Sequence, residues 1–273
     1  MNDTLKNKSY LFFYGRLFLW LSLFLVILPL GLYLYFIPLE SRIRGCLLTK
    51  MFKVELCPGS KNYVPLNKIS KNIQWAVITS EDGLFYQHDG FDWGALEASF
   101  QDVLKSGKYK RGGSTISQQL AKNMFLTKEK TLFRKFREAL ITWKIERTLT
   151  KGEILERYLN VIEFGQGIYG IKKATQYYFD KSPFAIDPAE AAFLAMILPS
   201  PHKYARSFRK KDLTPFAKRR ISSIVNNMYR SGHISRESYE ESLFKLQDFF
   251  GVKPDPLDES LDLNLEESEP LTN

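Results

Sequence analysis

Residues Leu17 to Ile37 read LFLWLSLFLVILPLGLYLYFI, and this run constrains the chain more than any other stretch. It contains no charged residue. At about 1.5 Å per residue it can cross a hydrocarbon core of roughly 30 Å as one helix. Pro29 and Gly31 do not exclude this, because both are tolerated in membrane helices. Trp20 lies near one end and Tyr33, Tyr35 and Phe36 near the other, where aromatic side chains favour the membrane interface. A cleaved signal peptide is the competing interpretation. The run is long for one, and no small-residue cleavage site follows in FIPLESRIRG. The expectation is one retained transmembrane helix over 17–37. Basic residues flank both ends, so the charge rule leaves its orientation open.

The rest of the chain must fold in contact with that anchor. The formal charge is +9, and it is unevenly spread. From Asp255 onward the seven charged residues are all acidic, so the preceding chain carries +16. Such a balance points to an anionic partner: nucleic acid, phospholipid head groups or a phosphate-bearing substrate. The two cysteines, Cys46 and Cys57, can pair on an oxidising side or remain free thiols, and their spacing fits no metal template.

Along the chain, 1–16 is a polar leader and 38–70 a connector broken by Pro58-Gly59 and Pro65. Residues 71–252 form the folded domain, and 253–273 an acidic tail without aromatics, expected to be disordered. The domain is mainly α. Leu132, Phe136, Leu140 and Trp143 recur at helical spacing. TKGE at Thr150 and DPAE at Asp187 are capping boxes, the second with Pro at the first helical position. Another amphipathic helix ends near Gly232.

Three stretches can carry chemistry. RGGSTISQQLAKN (111–123) sets two glycines and Ser114-Thr115 before the helical pattern Ile116, Leu120, Met124. A helix N-terminus favours anions, hydroxyls and the Gln118 and Gln119 amides suit sugars, and Lys122 lies farther along. Taken alone it is equally an ordinary loop and helix cap. TSEDGLFYQHDGFDW (79–93) places Glu81 and Asp82 among apolar residues, where a carboxyl pKa rises toward a value useful for proton transfer. The alternative is a solvated turn with a structural His88. In TLFRKFREALITWKIE (131–146), Glu138 shares a helix face with Arg134 and Lys135, either as a surface ion-pair ladder or as a carboxylate organising cations. A base, a cation cluster and a membrane anchor together suit glycosyl transfer from a phosphate-linked lipid donor.

These stretches, with KGEILERYLNVIEFGQGIYG and DPAEAAFLAMILPSP, follow in the order of the motifs of the bacterial peptidoglycan glycosyltransferases, family 51. The resemblance spans roughly Ile69 to Phe208 and implies a lysozyme-like, mainly helical, membrane-tethered domain. It implies inverting polymerisation of lipid II into β-1,4-linked glycan, releasing undecaprenyl diphosphate. By motif, Glu81 is the general base and Glu138 the second carboxylate. Lys122, Lys130, Arg134 and Lys135 hold donor phosphates, and Ser114, Thr115, Gln118 and Gln119 line the donor cleft. Asp82, Phe85, His88 and Gly90 belong to the scaffold of the first motif. Glu156, Asn160, Gly165, Gly167, Tyr169 and Gly170 are mostly architectural, and Phe100–Gly113 is a mobile loop. Ser117 and Lys173 depart mildly from the pattern.

No cofactor is required by the resemblance; a divalent cation, Mg or Mn, is left open, and no metal ligands are assigned. The implied partners are lipid II, the growing glycan, membrane phospholipids and proteins of division or elongation, not nucleic acid. The implied location is the cytoplasmic (inner) membrane of a bacterium, single-pass, with the domain on the outer side. A penicillin-binding transpeptidase domain is not expected: SFRK and SLFK match its first motif, but the only KSG precedes both. The other classes weighed are a glycan hydrolase, a non-catalytic scaffold and a basic nucleic-acid binder.

Overall fold

In the computed structural model the described residues are 16, 18–28, 30–31, 37–106, 113–209 and 211–251. Residues 18–28 and 30–31 are helical, and their large apolar side chains, Trp20 and Leu25 among them, are exposed. Leu17, Pro29 and 32–36 of the expected span lie outside the described residues, as does the acidic tail from 252 onward. Among the described residues no helix is long and apolar enough to cross a membrane.

The domain is mainly helical. Its helices are α1 (Glu40–Arg44), α2 (Lys71–Glu81), α3 (Trp93–Ser106), α4 (Ile116–Phe125), α5 (Leu132–Thr148) and α6 (Lys151–Val161), followed by α7 (Ile171–Phe179), α8 (Pro188–Ile197), α9 (Pro201–Tyr204), α10 (Arg206–Arg209), α11 (Pro215–Arg230) and α12 (Arg236–Lys245). Two short antiparallel pairs complete it: β1 (Leu47–Leu48) with β2 (Glu55–Leu56), and β3 (Glu163–Gly165) with β4 (Ile168–Tyr169).

Helix α8 is the centre. Every residue from Ala189 to Ile197 is buried, so over that span it has no exposed face. Its alanines let neighbours approach closely, and α2, α11 and α12 pack around it. Ile73, Ala76 and Val77 of α2 and Ile221, Ile224, Val225 and Met228 of α11 supply the facing apolar surface. A second group forms where α4 packs between α5 and α6, with Ile116, Leu120 and Met124 buried as their spacing predicts. Both predicted capping boxes are present, Thr150 with Glu153 and Asp187 with Glu190. Each satisfies two backbone donors at a helix start.

Two expectations change. The segment 38–70 is no loose connector: Ile43, Leu56, Val64 and Ile69 join the core. Prolines and glycines forbid long elements there without forbidding burial. Cys46 and Cys57 pair in a disulfide flanking β1 and β2. Asn160 accepts from Val64 N–H (2.8 Å) and donates to Val64 C=O (2.9 Å), while Glu156 accepts from Leu66 N–H (2.8 Å) and Tyr63 O–H (2.6 Å). Second, residues 100–106 of the expected mobile loop are the end of helix α3, and 107–112 lie outside the described residues. The helix expected from Leu132, Phe136, Leu140 and Trp143 is present as α5, and its apolar stripe faces outward: Leu132 is 91% exposed and Phe136 58%. The buried face is Glu138, Ile141, Thr142, Ile145 and Thr148. Helical periodicity was right; the side that packs was not the most apolar one.

Gly170 turns the chain from β4 into α7 with φ +81°, and an added Cβ would lie 2.7 Å from the Asn160 carbonyl oxygen. That backbone region is nearly closed to side chains. Gly170→Ala should lower stability by about 3 kcal/mol in thermal or urea unfolding. A loss under about 0.5 kcal/mol would show that this turn relaxes freely.

Candidate active site

Helix α2 ends at Glu81, and Asp82 begins the turn that leaves it. The buried Asp82 carboxylate does two jobs. One oxygen accepts from His88 Nε2 at 2.8 Å and the other from the Ile116 backbone N–H at 2.9 Å. Gly90 N–H donates to His88 Nδ1 (3.1 Å), so Nε2 carries the proton given to Asp82. Ile116 is the first residue of α4, where a carboxylate meets unpaired amides and the positive end of the helix dipole. Asp82 thus fastens the end of α2 to the start of α4. His88 is structural, the simpler of its two sequence readings.

Gly90 completes the joint. Its carbonyl accepts from Thr115 Oγ1 at 2.7 Å, and an added Cβ would lie 2.9 Å from Thr142 and Glu146 of α5. Thr115 and Gln118 are buried, and their side chains form the capping box of α4. Thr115 also borders the cleft described below, but its hydroxyl and the Gln118 amide are committed to the cap. Ser117, also buried, bonds Glu146.

Gln119 points the other way. Its Nε2 donates to Glu81 Oε2 at 2.9 Å, and its Oε1 accepts from Tyr158 O–H at 3.1 Å. Tyr158 therefore fixes the amide that orients Glu81. Burial pushes the Glu81 carboxyl above its ordinary pKa; the Gln119 bond and the Arg220 and Lys122 cations oppose the rise, and Asp82 adds to it. A cleft of about 190 Å³ opens here, walled by Ser80–Gly83, by Asp92 and Ala95, and by Gly113–Thr115.

The second carboxylate, Glu138, is 3% exposed and fully engaged. Oε2 accepts from Arg134 at 2.7 Å, and Oε1 pairs with Lys135. Lys135 Nζ also reaches Ser114 Oγ at 3.5 Å, bringing the cation cluster to the cleft wall. Arg134 Nε is buried with no hydrogen-bond partner among the described residues. Lys122 lies between the two carboxylates: burial lowers its pKa, Glu138 and Glu81 raise it, and Arg134 and Lys135 lower it further.

The structure thus joins Glu81, Gln119, Lys122, Ser114, Arg134, Lys135 and Glu138. It leaves Lys130 exposed, away from these contacts. Lys108, Lys110 and Arg111 lie outside the described residues. Two members escaped the sequence reading. Tyr158 sits in a helix that reads as apolar filling. Arg220 lies on α11, 139 positions beyond Glu81 and in no recognised motif, with only a basic run to mark it. The one cluster of metal-ligand type among the described residues is Cys46, Glu55 and Cys57, whose sulfurs are joined to each other.

A carboxyl with its folded-state pKa above its unfolded one stabilises the fold while protonated. That contribution is full below the unfolded pKa and is lost as pH rises through the folded one. Glu81→Gln keeps an acceptor for Gln119 without the buried charge. It should raise Tm at pH 7.5, with the gain vanishing toward pH 4.5, the ordinary value. A Tm lowered at both pH values would mean that the charge supports the fold.

Comparison with known proteins bears on this geometry. The Transglycosylase family model matches residues 50–229. A protein named biosynthetic peptidoglycan transglycosylase from Chromobacterium violaceum is 51% identical over 142 residues, 52% of this chain and 62% of that protein. Proteins of the same name from Aromatoleum aromaticum and Acinetobacter baylyi are 47% and 43% identical, over 60% and 59% of this chain and 70% and 72% of their own lengths. The alignment thus spans under two thirds of the Chromobacterium protein and somewhat more of the other two. The matched region contains every residue joined at the cleft, and the chain belongs to the transglycosylase family.

Proposed function

We propose that this chain polymerises lipid II into peptidoglycan glycan strands through a lysozyme-like glycosyltransferase domain. The observation that carries the proposal is one desolvated carboxylate, Glu81, beside a cleft whose wall residue Ser114 meets Lys135, one of two cations held by a second carboxylate, Glu138. Glu81 takes the proton of the acceptor sugar's 4-hydroxyl as that oxygen attacks the anomeric carbon of the donor. The bond from that carbon to the diphosphate breaks, the configuration inverts, and the diphosphate leaves with the bonding electrons. Arg134, Lys135 and Lys122 stabilise its charge. With both oxygens paired, Glu138 holds the cations in place rather than donating a proton, and Gln119 with Tyr158 aims the base. Thr115 and Gln118 serve by holding α4. A glycan hydrolase would not need so many cations, since its leaving group is neutral.

Location follows from the same features. The uncharged run 17–37 serves as the anchor, with the N-terminus inside and the domain outside, where the Cys46–Cys57 disulfide suits an oxidising compartment. Leu132, Trp93 and Leu104 expose apolar side chains on a basic chain, as suits a domain resting on anionic lipid.

The test is incubation of detergent-solubilised protein with labelled lipid II, with products resolved by size. Long glycan from wild type, and a loss of about 10²–10⁴-fold in rate for Glu81→Gln, are expected. Shortening of preformed glycan would instead favour the hydrolase. The acid limb of the rate profile should lie above the ordinary carboxylate value, and Lys122→Met should move it higher by removing a cation that opposes the rise. An unmoved limb would sever Lys122 from the base. In a form lacking residues 1–36, Leu132→Ser should leave stability within about 0.5 kcal/mol yet weaken vesicle binding; equal binding would remove that residue from the lipid-facing surface.

A further inference from the structure

A groove of about 420 Å³ lies at the end of the domain, more than twice the volume of the cleft beside Glu81 at about 190 Å³. Leu213, Leu246, Phe249 and Phe250 give it an apolar floor, and Lys211 and Lys218 stand at its wall. Asp212 and Asp248 also line it, but Asp248 Oδ1 is occupied by the Gly251 N–H at 3.1 Å. The surrounding charge is positive: residues 203–220 contain eight Lys or Arg and one acid, Asp212.

The last residue at the rim is Gly251, where the described residues end and the acidic segment follows. That segment is not merely acidic. Leu257, Leu261 and Leu265 recur every fourth position, with Asp258, Glu259 and Asp262 between them. This is the complement of an apolar floor with lysines at its wall. Residues 252–256 supply the slack, up to about 17 Å when extended.

We propose that residues 257–265 dock into this groove of their own chain, with leucines on its floor and carboxylates toward Lys211, Lys218 and the basic stretch. Tethering makes the contact intramolecular, so modest complementarity is enough to hold it. Docked there, the tail offsets the positive charge of a stretch that continues along α11 to Arg220, a cation that acts on Glu81.

The full-length chain has no free cysteine among its described residues, so two can be introduced cleanly. Asp212→Cys at the groove and Ser260→Cys in the tail are joined with a short bismaleimide in detergent. The expected result is a monomeric cross-link whose rate does not depend on protein concentration. It should slow about tenfold with Leu257, Leu261 and Leu265 all changed to Ser, with Lys211→Glu plus Lys218→Glu, and in high salt. The same rate in both variants would overturn the proposal, because an undocked tether would account for it. A dimeric product whose rate rises with protein concentration would overturn it too, giving the groove to the tail of a second copy. Circular dichroism of the groove variant checks that its fold is unchanged.

Discussion

One carboxylate holds this site together. Asp82 joins the end of α2 to the first amide of α4 and, through His88, to the Gly90 turn. A buried carboxylate accepting charge-assisted bonds at a helix start is among the stronger polar contacts a protein can form. The next residue back is Glu81, and the adjacent helix carries Gln119 and Lys122. The direction of Glu81 therefore depends on a joint made by its neighbour, and the cleft exists because the two helix ends are fixed against each other.

Around that joint the structure separates two electrostatic tasks. Glu81 lies where burial disfavours its charge, with a single amide hydrogen bond to aim it. Glu138 is buried more completely but has two cationic partners. Burying a charge is costly unless it is paired, and Glu138 is paired with Arg134 and Lys135, while burial raises the Glu81 pKa above its ordinary value. Lys122 feels both, which couples Glu81 electrostatically to the cations around Glu138.

Much of this was legible in the residues. The capping boxes at Thr150 and Asp187 and the buried stripe of α4 follow from local chemistry, and neighbours within four positions are enough to specify them. The α5 stripe correctly marked a helix, but periodicity reports that a helix has two faces, not which one meets the protein. An apolar face that rests on lipid reads the same as one that rests on a core. Segment 38–70 misled for a related reason: Asn160 and Glu156 satisfy its backbone from about 90 residues away, and no local signal announces that.

By itself the amino-acid sequence determined the helical class, the acidic and basic halves of its charge, and the residue types able to move a proton or hold a phosphate, because each depends on composition or short-range spacing. Only the tertiary structure decided that Thr115 Oγ1 meets the Gly90 carbonyl, that Tyr158 orients Gln119, that the Arg220 charge acts on Glu81, and that Cys46 meets Cys57. Each of these brings together segments whose separation along the chain says nothing of their distance. Packing around α8 and α4 sets that distance.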